Sequence, residues 1–80
     1  MTHPPIFADF NNIDPDGCVR LNTVGTHDAL ALQGIRLEAG ILLEVGDGDL
    51  RATIVVRAPG IEGVWRGEIV DGPHDEVETT

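Results

Sequence analysis

The sequence predicts a mainly β domain, a small five-stranded antiparallel SH3-like barrel with one short helix, and three observations carry that expectation. Valine and isoleucine number 8 and 7 against 7 leucines, so side chains suited to a pleated sheet outnumber leucine by about two to one. Clusters of turn formers interrupt the chain at short intervals, and the stretches between them alternate apolar with polar residues. At 80 residues there is room for one core, and five short twisted strands in so small a chain hide their edges best by curling on one another.

Residues 1–5 read as a flexible leader, because Pro4 and Pro5 lack the N–H that helix or sheet pairing uses. A first strand is expected over residues 6–10, with Ile6, Ala8 and Phe10 on one face and Phe7 and Asp9 on the other. Residues 11–17 (NNIDPDG) are dense in turn formers: Asn and Asp bond their own backbone, Pro15 presets φ, and Gly17 reaches positive φ. A hairpin from the first strand to a second over residues 18–21 follows, with Val19 and Leu21 opposed to Arg20 and Asn22. Thr26 is the expected cap of the helix, Asp28 lies in its first turn, and Gly34 stands where a left-handed C-cap belongs. Ala29, Leu32 and Ile35 fall at helical spacing and are expected to face the core, with Leu37 just beyond.

A third strand is expected over residues 41–45, with Ile41, Leu43 and Val45 on one side. The Gly46-Asp47-Gly48-Asp49 stretch is the strongest hairpin signal in the chain. It leads into residues 50–58, where Leu50, Ala52, Ile54, Val56 and Ala58 alternate with Arg51, Thr53, Val55 and Arg57. After a turn at residues 59–63, a last strand over 64–70 sets Trp65, Gly67 and Ile69 against Arg66 and Glu68. The domain then spans residues 6–70. Residues 71–80, with Asp71, Asp75, Glu76 and Glu78, read as an acidic disordered tail.

The formal net charge is −9, and lysine, serine and tyrosine are missing altogether. That closes off a P-loop, a Schiff-base lysine and a serine nucleophile, so the chain reads as non-catalytic and without a cofactor. The acidity argues against nucleic acid, whose binding draws on clustered Lys and Arg, and against anionic membrane surfaces. One cysteine, no signal segment and no apolar run near 18 residues fit a soluble cytoplasmic protein.

Over residues 14–45 the pattern Asp14-x-Asp16-Gly17-Cys18-Val19-Arg20-Leu21, a short helix, then Gly34-Ile35-x-Leu37-x-x-Gly40-x-x-Leu43-x-Val45 resembles the AbrB/MazE-type swapped-hairpin regulators. That resemblance implies a strand-helix-strand unit that dimerises, and a transcription regulator or antitoxin with Arg20, Arg36 and Arg51 on a basic face. The chain as a whole looks more like a small bacterial β-barrel protein.

Asp14 with Asp16 and Asp47 with Asp49 present oxygens of the kind a hard divalent cation takes, but neither stretch completes a calcium loop, and turn chemistry explains both. His3, His27 and His74 are too scattered for a zinc site, so no metal is expected. Cys18 in a strand reads as a packed residue rather than a nucleophile. Trp65, in phase with Ile69, reads first as a core filler and second as an interface anchor beside Arg66. Arg51, Arg57 and Arg66 on neighbouring strands would flank Val55 in a local basic strip, unless Glu44 and Glu68 pair with them across the sheet. Arg51, Val55, Arg57, Trp65 and Arg66 are therefore the candidate contacts, and the expected partner is another protein or a second copy of the chain.

Overall fold

The computed structural model describes residues 4–75 and contains six elements in chain order. They are β1 (Ile6–Phe7), β2 (Val19–Arg20), α1 (Val24–Gln33), β3 (Leu42–Gly46), β4 (Leu50–Arg57) and β5 (Arg66–Asp75). The strands form one sheet in the order β1-β3-β4-β5-β2, curled into a half-barrel. The mainly β class, the five strands and the one short helix are as the sequence predicts. The all-antiparallel arrangement is not, because β1 runs parallel to β3, with Ile6 opposite Val45 and Phe7 opposite Gly46.

The expected first hairpin is also replaced. β1 and β2 lie on opposite edges of the sheet, β2 pairing with β5 through Val19 opposite Gly67 and Arg20 opposite Arg66. The cause is local: Asp9 turns the chain straight after Ala8, its carboxylate accepting from the Asn11 N–H and its carbonyl from the Asn12 N–H. What remains of the hairpin is a tight turn in which Ile13 bridges Val19 and the Asp14 N–H donates to the Cys18 carbonyl.

The central pair behaves as its pattern requires. The Asp47 carboxylate accepts from the Asp49 and Leu50 N–H groups, and this turn joins β3 to β4 with Leu43 opposite Ile54 and Val45 opposite Ala52. Ile6, Ala8, Val19, Leu21, Leu43, Val45, Ala52, Ile54 and Val56 form the buried core with Leu30 of α1. Each fully buried Ile or Val of this set contributes roughly 1.5–3 kcal/mol over an exposed one. Gly67 of β5 is buried because Ile54 lies over it: a Cβ there would sit 3.0 Å from the Cβ and Cγ1 of Ile54.

β5 is longer than expected. Asp71, His74 and Asp75, read as the start of the tail, pair with Thr53, Arg51 and Leu50, and register shifts occur on both sides of Thr53. Backbone pairing to a well-formed central strand outweighs the acidic composition there; the rest of the expected tail, residues 76–80, lies outside the described residues, as do residues 1–3 of the leader.

The cap of α1 lies three residues before the expected one. Thr23 is the N-cap, its hydroxyl accepting from the Thr26 N–H at 3.1 Å, while Gly34 closes the helix at φ 65° as expected. Thr26 is buried and donates its hydroxyl to the Phe7 carbonyl at 2.6 Å. With Thr26 and Leu30 turned inward, Ala29 and Ile35 pack only at the core's margin and Leu32 is 87% exposed.

Candidate interaction face

β strands alternate sides, so the inward set above leaves a second face of β3, β4 and β5 turned outward. Leu42 stands opposite Val55, Val55 opposite Glu68, Glu44 opposite Thr53, and Arg57 opposite Arg66. Leu42 is 65% exposed and Val55 half-buried, an apolar strip that crosses from β3 to β4.

The arginines on this face are paired. Arg57 donates to Glu68 (Nε to Oε1, 3.0 Å), and Arg51 Nε lies 3.3 Å from Glu44 Oε1 without the alignment of a hydrogen bond. Thr53 also donates its hydroxyl to Glu44. The expected basic strip is thus a set of neutralised cross-strand pairs, as opposite charges on adjacent strands favour.

Arg66 serves the rim rather than the strip. Its guanidinium reaches Asp16 Oδ2 at 2.7 Å and Asp14 Oδ2 at 3.3 Å, and donates from Nε to the Ala58 carbonyl. Asp14 is buried; its other oxygen accepts from the Cys18 N–H at 2.8 Å and the Asp16 N–H at 2.9 Å. The Cys18 amide, together with Arg66, holds the Asp14 carboxyl below the usual carboxylate range. Beside it Arg20 grips Glu62 bidentately, both bonds 2.8 Å, and donates to the Ile13 carbonyl, which keeps the Glu62 carboxyl low. These bonds fasten the Asp14 turn and the loop before β5 to β2.

Trp65 does not join the face. Its carbonyl accepts from the Leu21 N–H, and its half-buried ring packs against the core on the side away from Arg66. Of the sequence-chosen contacts, Arg51, Val55 and Arg57 lie together, Arg66 borders them, and Trp65 lies behind. Sequence reasoning missed Leu42, whose exposure is set by its register opposite Val55, and it missed β5 beyond Val70.

The other chemical candidates are occupied by structure. Asp47 is kept low by the Leu50 and Asp49 amides, both of which donate to its Oδ1 and so commit that oxygen to the hairpin. Burial, then the nearby Asp14 charge, pushes the Cys18 thiol up, away from the thiolate that a nucleophile needs. No group of three or more His, Cys, Asp or Glu among the described residues is placed to hold a metal ion. No helix among them is long and apolar enough to cross a membrane.

A recess of about 540 Å³ opens at the end of the outer face where β5 runs past its register shifts. Glu44, Arg51, Thr53, Asp71, His74 and Asp75 line it, with Asp71 Oδ1 3.2 Å from His74 Nε2. Set beside known proteins, the chain matches no family model, no curated protein and no solved structure.

Proposed function

We propose that this chain is a non-catalytic protein-binding module, SH3-like in build and cytoplasmic, that engages another protein through the outer face of β3, β4 and β5. The observation that carries this reading is the exposed strip of Leu42 beside Val55, flanked by the Glu44–Arg51 and Arg57–Glu68 pairs. An apolar centre with a rim of paired charges is the anatomy of a protein contact, and it costs little to desolvate at its middle. The lone cysteine kept as a buried thiol supports a reducing compartment. The alternative, a dimeric AbrB/MazE-like regulator or antitoxin, draws on Arg20, Arg36 and Arg51; that Glu62 and Glu44 engage two of these favours the protein-binding reading.

The test is capture from an extract of the source cell, with wild-type protein against Val55→Arg and Leu42→Glu, and Leu32→Glu as a control on α1. One protein retained by wild type and by the control but lost from the two face variants is the expected outcome. Absence of any retained protein, with strict monomer behaviour in sedimentation, overturns the proposal. A mobility shift of mixed-sequence DNA at low salt transfers the chain to the regulator class.

A further inference from the structure

The two edges of the sheet are capped unequally. β4 flanks one side of β5 throughout; on the other side β2 covers β5 only at Arg66 and Gly67, and among the described residues no strand lies on that side from Glu68 to Asp75. The Leu21 N–H donates to the Trp65 carbonyl, so the backbone groups of Trp65, Gly67 and, by alternation, Ile69 point to that edge. The Ile69 N–H and C=O therefore face outward with no strand to receive them, which is what an added strand requires. Pro73, with no N–H, limits such pairing to the stretch before it.

Beside this edge the carboxylates without an arginine partner prevail. Of the acidic residues on β5 and in the recess, Arg57 already pairs with Glu68 and Arg51 with Glu44, which leaves Asp71 and Asp75 with no arginine on them among the described residues. A second copy would bring the same carboxylates against these, and like charges on adjacent strands repel. The occupant with matching charge is an extended segment carrying Lys or Arg at alternate positions, its backbone on Ile69 and a basic side chain in the recess.

We propose that the open edge of β5 receives an extended basic segment of a partner protein as an added strand, Asp71 and Asp75 selecting its lysines or arginines. This rests on the reading of the chain as a protein-binding module and names the class of its partner.

The experiment uses the full chain, labelled with 15N, and two eight-residue peptides, one alternating lysine with threonine and one alternating glutamate with threonine. The lysine peptide is expected to move the amide signals from Glu68 to Gly72, and the glutamate peptide to leave them unmoved. Asp71→Lys combined with Asp75→Lys, both at exposed positions, should weaken the lysine peptide by about tenfold and confer binding of the glutamate peptide. Equal binding of both peptides, no movement at β5 with either, or movement confined to Leu42–Glu44 overturns the proposal. So does a β5-to-β5 contact between two copies. In each of those cases loss of the captured protein in Val55→Arg still decides the binding-module reading on its own.

Discussion

Asp14 joins three parts of the chain through a single carboxylate: the Cys18 and Asp16 amides on one oxygen and Arg66 on the other. The first two bonds span four residues or fewer and are legible in the sequence as turn chemistry, whereas Arg66 lies 52 residues away and nothing local announces it. Because the folded carboxyl is held below its ordinary value, its stabilising effect is complete above about pH 4, the unfolded value, and is lost as pH falls through the folded one. Glu62 and Asp47 shift in the same direction, so they add to this loss. Thermal melts from pH 6 to pH 2 should show a falling midpoint below pH 4 that is shallower in Asp14→Asn, which starts lower at neutral pH. An unchanged acid limb in that variant would show that Asp14 is not among its sources. Cys18, buried and with its thiol pushed up, should react with a disulfide reagent at neutral pH many times more slowly in the native protein than in denaturant.

At the level of elements, Thr23 and Thr26 show where reading a sequence stops. Both are good N-caps by type, and what assigns the roles is the Phe7 carbonyl, which needs a donor from the helix and receives the Thr26 hydroxyl. The same contact turns Leu30 inward and Leu32 outward, since residues four apart share a helix face. Thr23→Ala should cost about 1 kcal/mol as a lost cap. Thr26→Val should cost about 1–3 kcal/mol, because it removes a buried hydroxyl's bond and leaves a part-buried carbonyl without its donor. Urea unfolding separates the two, and equal costs would mean that the Phe7 bond adds nothing. In the sheet, periodicity identified the inward residues of β3 and β4 because both strands are joined by their own turn. It misplaced β1, whose partner is chosen by which edge is open. Gly67→Ala should lower stability by about 1–3 kcal/mol through the clash with Ile54, with the refolded spectrum otherwise unchanged.

For the molecule as a whole, stability rests on β4, which lies between β3 and β5 and carries Ala52, Ile54 and Val56 into the core. Ile54 is fully buried and touches the packing of both neighbours, so Ile54→Ala should cost about 2–5 kcal/mol, whereas breaking the exposed Arg57–Glu68 pair should cost under about 1 kcal/mol. The two denaturation midpoints measured side by side check that ranking. The class of the fold was legible because one face of each strand is apolar; the outer face was legible only in part, since which charges meet there depends on register across strands. The strand order has a further consequence, for time rather than for stability. Ile6 waits for Val45 and Val19 for Gly67, so in N-to-C order β1 finds no strand partner until β3 has been made, and β2 none until β5 has been made. β2, which precedes the helix and both central strands, is thus still unpaired when β5 is made.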